Sequence, residues 1–193
     1  NIASHFVSRP DAPTTLERRF VEDFLMTKFF ELSFFDDRPL PPPAELQARE
    51  YLGDVAGDCD LVLVADFGHG MMTRALVETA CERARFLAVN TQLNSINMGY
   101  NVITRYPRVD YACIDEAETR LAARDRFRPL PELALELAQA LGCGAFTTTR
   151  GKSGSLFWSQ REGFLSTPVL SREVVDTIGA GDAFLSITAP AVC

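Results

Sequence analysis

Two hydrophobic patterns alternate along most of the chain: short continuous apolar runs, and longer stretches with apolar residues at helical spacing. The clearest run is Asp60-Leu61-Val62-Leu63-Val64-Ala65-Asp66, whose bulky aliphatic residues are typical of a strand buried in a parallel sheet. Similar runs predict further strands at residues 85–90, 111–115, 145–149, 163–169 and 171–175.

Helices are predicted between several of these strands. The clearest is amphipathic and runs from Leu130 to Leu141, with Gly142 placed to end it. Thr73 is placed to cap another helix, which would continue to Ala84. Two more are predicted at residues 44–55 and 116–124. Strands that alternate with helices indicate a three-layer α/β/α fold with a mainly parallel sheet.

The front of the chain has a different pattern. Two aromatic-rich runs, Leu16 to Glu22 and Lys28 to Phe35, predict strands, and a proline-rich segment follows them. We therefore expect two parts: residues 1–43 as two strands with a return segment, and residues 44–193 as the α/β body.

Composition fits a globular enzyme domain, since the 193 residues are 47% hydrophobic and 23% charged. The net charge of −7 argues against nucleic acid or an anionic membrane as the main partner. No apolar run is long enough to span a bilayer.

The cysteines and histidines argue against a zinc site. The five cysteines are scattered without a Cys-x-x-Cys pair, and the chain has only two histidines. An odd number of cysteines and the absence of a signal peptide favour a cytoplasmic location.

The most specific chemistry lies near the end of the chain, around Gly179-Ala180-Gly181-Asp182. Small residues let the backbone approach a ligand, and the amides at a helix start bind anions. A carboxylate is repelled by a bound phosphate, but it is suited to take the proton from a hydroxyl that attacks phosphorus. From these residues alone, a tight strand-to-helix turn with Asp182 as a surface cap is the alternative.

The longer string Asp176-Thr177-Ile178-Gly179-Ala180-Gly181-Asp182-Ala183-Phe184 resembles the signature of the ribokinase-like (PfkB-type) carbohydrate kinases. The resemblance implies a ribokinase-like fold and ATP-dependent phosphorylation of a sugar or sugar phosphate. It implies that the amides of Gly179, Ala180 and Gly181 form the anion hole, and that Asp182 is the catalytic base.

A second stretch, Thr149-Arg150-Gly151-Lys152-Ser153-Gly154-Ser155, is similar to the family's Thr-x-Gly-x-x-Gly, which lies along the nucleotide. The resemblance implies that the nucleotide-binding residues are Thr149, Gly151, Lys152, Gly154 and Thr177. From the residues alone, a glycine-rich turn after a strand also fits a β-hairpin, and Lys152 also fits a solvated turn lysine.

The segment Asp115-Glu116-Ala117-Glu118 aligns with the family's Asn-x-x-Glu motif, which helps to organise Mg²⁺ through water. Glu118 matches the glutamate, whereas Asp115 stands where the family usually has asparagine and Ile114 where it has proline. A carboxylate can still hold a hydrated Mg²⁺, because this ion prefers oxygen ligands and keeps its waters. The alternative is an acidic first helical turn, which the helix dipole favours.

Two strand ends resemble the heptose-7-phosphate kinase branch of the family. Asp66-Phe67-Gly68-His69-Gly70 is similar to its Asp-Tyr-Gly-Lys-Gly, with His69 in place of lysine. The segment Asn90-Thr91-Gln92-Leu93-Asn94-Ser95 replaces its Asp-Pro-Lys type of sequence. The resemblance implies substrate contacts from Asp66, His69 and Asn90. A solvated loop histidine and an Asx-rich turn are the alternatives for the last two residues.

The resemblance covers roughly Leu16 to Pro190 and implies ATP and Mg²⁺ as cofactors, with a monovalent cation as an optional third. The two front strands resemble the end of the family's β-sheet lid, which covers the sugar and offers a surface for a homodimer. Members of the heptose branch are often fused to a nucleotidyltransferase domain.

The family's first strands and the end of its adenine site have no counterpart within these 193 residues. Because contacts with remote substrate groups help to position the reacting atoms, we expect no measurable sugar kinase activity from these residues alone. A catalytically weak module that binds nucleotide or sugar is the alternative function.

Overall fold

The computed structural model describes residues 2–22, 28–94, 97–171 and 179–193, which contain eight strands and five α-helices. The strands are β1 Leu16–Val21, β2 Lys28–Phe34, β3 Val62–Asp66, β4 Leu87–Thr91, β5 Tyr111–Asp115, β6 Ala145–Thr149, β7 Ser155–Ser159 and β8 Gly163–Thr167. The helices are α1 Pro42–Val55, α2 Arg74–Arg83, α3 Glu116–Ala122, α4 Leu130–Ala140 and α5 Ala180–Val192.

Six strands form the main sheet, in the order β3-β4-β5-β6-β7-β8. The first four are parallel, as the alternation of strands and helices predicted, while β7 and β8 extend the sheet as antiparallel strands. Strand β7 was missing from the prediction because it begins directly after the glycine-rich turn at residues 151–154. That turn therefore joins two antiparallel strands. The strand predicted at 171–175 lies outside the described residues from 172 onward.

Helices cover both faces of this sheet, which gives the predicted three layers. On one face, α2 and α4 pack over a core that includes Val89, Ala112 and Phe146, and α1 packs against α2. On the other face, Leu185 and Ala189 of α5 pack against the sheet. No helix among the described residues is long and apolar enough to cross a membrane.

A hydroxyl network fixes α5 to the sheet. The Tyr111 hydroxyl on β5 donates to Thr188 Oγ1 on α5 at 2.9 Å and lies 2.9 Å from Thr147 Oγ1 on β6. Thr188 in turn donates to the carbonyl of Phe184, one turn earlier in the helix. The position of α5, and hence of its first turn, therefore depends on contacts with two central strands.

The front strands β1 and β2 form a separate antiparallel sheet, with Leu16 opposite Phe34. Phe20 and Phe30 stack with ring centroids 4.4 Å apart, and Arg19 forms an ion pair with Glu31. Several apolar side chains of this sheet are exposed to solvent: Leu16, Phe20, Val21, Phe29, Phe30, Leu32 and Phe34. The chain returns to the body through Leu40, whose amide donates to the carbonyl of Gly70 at 3.2 Å.

Gly154 is required by close packing as well as by its backbone conformation. Its φ is +81°, and a Cβ atom there would lie 2.0 Å from the carbonyl oxygen of Thr167. Gly163, the first residue of β8, has a φ of +73°, but a Cβ atom there would meet nothing within 4 Å. A side chain would therefore meet backbone strain alone at Gly163, and backbone strain together with steric overlap at Gly154.

We expect Gly163→Ala to lower the free energy of unfolding by about 1 kcal/mol, the cost of a left-handed alanine. Gly154→Ala should lower it by about 2–4 kcal/mol, because overlap with the Thr167 carbonyl adds to the same strain. Urea unfolding of both variants measures the difference. Equal losses would show that the hairpin opens without resistance at Gly154.

Candidate functional site

Polar side chains gather where the four parallel strands end. Asp66 and Thr91 are paired residues at the ends of β3 and β4, and Asp115 and Thr149 are paired at the ends of β5 and β6. Ligands of open α/β sheets bind at this edge. The register therefore brings residues that are far apart in sequence to one side of the molecule.

The first turn of α5 presents backbone amides that have no partner inside the helix. Gly179 precedes the helix with a φ of +72°, a left-handed conformation that glycine tolerates, and no side chain of the described residues caps the helix there. The first bond within the helix runs from the Ala183 amide to the Gly179 carbonyl at 2.9 Å. The amides of Ala180, Gly181 and Asp182 thus lack a partner within the helix and, with the helix dipole, favour an anion.

A cavity of about 340 Å³ unites the two glycine-containing turns. The nucleotide-binding residues predicted from the sequence contribute Thr149, Gly151 and Gly154 to it, and the first turn of α5 contributes Ala180 and Gly181. Its other lining residues are Ser155, Thr167, Pro168, Leu170 and Phe184. The cavity therefore combines anion-binding amides with an apolar wall.

Two other predicted nucleotide contacts are outside this lining. Lys152 is exposed on the turn that borders the cavity. Thr177 lies outside the described residues. Both assignments stay predictions.

Asp182 belongs to the same turn as the free amides, but its side chain contacts the end of β4. Gln92 Nε2 donates to Asp182 Oδ1 at 2.7 Å, and both side chains are half-buried. The chain thus places a carboxylate between the α5 cavity and the polar strand ends.

Asp115 and Glu118 form a reciprocal cap at the start of α3. Asp115 Oδ1 accepts from the Glu118 amide, and Glu118 Oε2 accepts from the Asp115 amide, both at 2.7 Å. Glu118 Oε1 also accepts from the Leu93 amide at 3.0 Å. The acidic helix start considered as an alternative is therefore present in the structure, and it is linked to the segment after β4.

Burial raises the pKa of Glu118 to about 7, and the charges of Asp115 and Asp182 act in the same direction. The backbone amides that donate to its oxygens oppose this shift. Within the described residues, no cluster of three or more histidine, cysteine, aspartate or glutamate side chains is placed to bind a metal ion directly. Because both Glu118 oxygens already accept amides, this pair suits a hydrated Mg²⁺ held through water more than a directly coordinated one.

Asp66 is buried and shapes the loop that follows β3. It accepts from the Gly68 amide at 2.9 Å and the Tyr106 hydroxyl at 2.8 Å, and it forms an ion pair with Arg105. Burial, together with the Asp66 charge, raises the pKa of Tyr106, so this hydroxyl stays protonated as a donor. These contacts tie the Asp66 carboxylate to the protein, and its contact with a substrate stays a prediction.

His69 lies in this loop, and Asn90 lies on the neighbouring strand β4. The His69 ring stacks on Phe35 with centroids 4.3 Å apart, and its Nε2 lies 3.3 Å from Asn94 Nδ2. Asn90 Nδ2 donates to the Cys113 carbonyl at 2.7 Å, while its Oδ1 is buried and has no partner among the described residues. An unpartnered buried amide oxygen can accept a hydrogen bond from a ligand.

Sequence reasoning missed three residues that organise these strand ends. Asn97 donates to the Phe67 carbonyl at 2.9 Å, Asn101 donates to the Asp66 carbonyl at 2.9 Å, and Gln92 contacts Asp182. The asparagines at 94, 97 and 101 were a usable signal, because asparagine side chains commonly bond to nearby backbone groups.

Comparisons with known proteins identify the family and the fold. Residues 43–188 match the family model described as pfkB family carbohydrate kinase. The bifunctional protein HldE of Azotobacter vinelandii is 31% identical over 199 residues, which are 97% of this chain and 38% of the relative. Among eight curated relatives with this name, the chain spans between 26% and 39% of the relative's length.

Solved structures show the same fold. Ribokinase from Thermotoga maritima has a TM-score of 0.69 at 17% identity, over 94% of this chain and 57% of that chain. Arabidopsis thaliana ribokinase complexed with ribose and ATP has a TM-score of 0.62 at 14% identity, over the same shares. The predicted ribokinase-like fold is confirmed.

The pKa of Glu118 predicts a pH-dependent stability. A native pKa of about 7 against an ordinary value of 4.5 means that the native state binds more protons between these values, so its stability falls as pH rises. Glu118→Gln lacks this titration. As the pH rises from about 5 to about 8, wild type should therefore lose about 1–3 kcal/mol of its free energy of unfolding relative to Glu118→Gln.

Urea unfolding at several pH values measures this shift, and the exposed Glu162→Gln is the matched control. A constant difference between Glu118→Gln and wild type across the range would contradict the burial argument.

Proposed function

Because the chain belongs to the pfkB family of carbohydrate kinases, we propose that it forms the nucleotide-binding and catalytic part of an ATP-dependent kinase acting on a sugar or sugar phosphate. One observation carries this proposal: the cavity that joins the 151–154 turn to the free amides of α5. Asp182 lies on that same turn of α5, next to the proposed phosphate site. A base beside an anion site is the arrangement that phosphoryl transfer to an alcohol requires.

In this proposal, Asp182 takes the proton from the acceptor hydroxyl as its oxygen attacks the γ-phosphorus of ATP. The new oxygen–phosphorus bond forms while the bond to the β,γ-bridging oxygen breaks, so that ADP leaves. The amides of Gly179, Ala180 and Gly181 stabilise the charge on the transferring phosphoryl oxygens. These amides are held in place before the reaction, because α5 is packed and hydrogen-bonded to the sheet.

The remaining nucleotide contacts are proposed along the same cavity. Thr149, Gly151 and Gly154 line it, and the apolar side chains of Leu170 and Phe184 offer a surface for the non-phosphate part of the nucleotide. Lys152 and Thr177 complete this set as predicted from the sequence. Mg²⁺ would supply charge neutralisation for the phosphates, with Asp115 and Glu118 holding its waters, and a monovalent cation is a further proposed cofactor.

The acceptor site is proposed at the ends of β3 and β4. The free buried oxygen of Asn90 is suited to a sugar hydroxyl, and His69 borders the same edge. Asp66 would act by shaping the loop that carries His69. Heptose 7-phosphate is the proposed substrate class, supported by the likeness to HldE.

Partners and location are proposed in the same way. The exposed apolar side chains of β1 and β2 support a lid that also joins two subunits. The relatives named bifunctional support a fused nucleotidyltransferase domain. All five cysteines are free thiols, which favours the reducing cytoplasm.

Replacing the proposed base tests this function. Asp182→Asn keeps the side chain's shape and removes its basicity, so kcat of the protein as encoded in full should fall about a hundredfold or more. ADP affinity should change little, because the α5 amides are unaltered. Steady-state assays with a panel of sugars and sugar phosphates, together with calorimetric ADP titration, measure both quantities.

The exposed Asp54→Asn on α1 is the matched control and should behave as wild type. A variant of Asp182 with near-normal kcat would remove the catalytic assignment. ADP binding without any turnover in the wild-type protein would instead favour the weak nucleotide-binding module.

A further inference from the structure

The hydrogen bond between Gln92 and Asp182 joins two elements that are ninety residues apart in sequence. Gln92 follows directly after β4, and Asp182 lies in the first turn of α5. The 2.7 Å distance from Nε2 to Oδ1 is that of a charge-assisted hydrogen bond. Neither residue belongs to a hydrophobic core cluster of the described residues.

The backbone of Gln92 is itself held firmly. Its amide donates to the Asp66 carbonyl at 2.9 Å, and its carbonyl accepts from Asn97 Nδ2 and Asn101 Nδ2 at 3.4 Å each. The next residue, Leu93, donates its amide to Glu118 Oε1. The side chain of Gln92 therefore extends from an anchored position toward the carboxylate.

We propose that Gln92 is a positioning residue that fixes the rotamer of Asp182. This inference rests on the proposed function. The side-chain amide of Gln92 occupies Oδ1 of Asp182 and thereby assigns proton removal to Oδ2. The donor is neutral, so it orients the carboxylate without adding a positive charge beside it.

The neighbouring charges make such a donor useful. Gln92 and Leu93 are consecutive residues, and they donate to Asp182 Oδ1 and Glu118 Oε1, so the segment after β4 holds two carboxylates side by side. A neutral donor suits this position because it adds no charge beside either carboxylate. A correctly oriented base needs its reacting atoms held closely, and small misplacements cost large factors in rate.

Two variants of similar size separate orientation from packing. Gln92→Met keeps the length and removes the donor, while Gln92→Glu keeps the shape and adds a like charge. In the protein as encoded in full, we expect kcat to fall about tenfold for Met and about a hundredfold for Glu, in keeping with the cost of a misoriented catalytic group. ADP affinity should stay within about twofold, since only the step that uses Asp182 is affected.

Gln139→Met, at an exposed position on α4, is the matched control and should leave kcat unchanged. A folded Gln92→Met protein with wild-type kcat would overturn the inference. If Gln92→Met and Asp182→Asn both retained wild-type activity, the proposed function would fail together with this inference. If Asp182→Asn lost activity and Gln92→Met retained it, only the role of Gln92 would be removed.

A second measurement does not depend on turnover. In NMR spectra, the side-chain amide protons of Gln92 should exchange with solvent more slowly than those of Gln139, because they are bonded and half-buried. In Asp182→Ala, the Gln92 amide should exchange at a rate closer to that of Gln139. An exchange rate of Gln92 that is unchanged by Asp182→Ala would show that the hydrogen bond does not exist in solution.

Discussion

The proposed site depends above all on the amino terminus of α5. Among the described residues, no side chain caps its amides, so they favour an anion in front of the helix. These amides could not hold an anion at a fixed place if the helix shifted. Leu185 and Ala189 pack into the sheet, and Tyr111 bonds to Thr188, so the orientation of the amides is set by buried contacts behind them.

The buried or half-buried carboxylates near the polar strand ends share one feature, which is that hydrogen-bond donors hold each of them. Asp66 accepts a backbone amide and the Tyr106 hydroxyl, Glu118 accepts two backbone amides, and Asp182 accepts the Gln92 side chain. Such partners are what make buried acidic groups tolerable. They also restrict the orientation of each carboxylate, which a phosphoryl-transfer site needs.

Much of this arrangement was predictable from the sequence. The apolar runs located β3 to β6, and the glycine-rich strings located the two turns, because hydrophobic period and glycine conformation are local properties. Strand β7 was missed because its pairing partners decide its identity. The contact between Gln92 and Asp182 was also missed, since nothing in either local sequence encodes a bond across ninety residues. The asparagines that anchor the segment after β4 gave only a general indication of turns.

If α5 and the 151–154 turn form one nucleotide phosphate site, ADP should bind between them. Backbone amide chemical shifts recorded during an ADP titration measure this binding residue by residue. The largest shifts should be at Gly151, Gly154, Ala180 and Gly181, which line the common cavity. Shifts confined to the polar groove between α1 and α2, around Glu50 and Glu78, with none at Gly181, would contradict it.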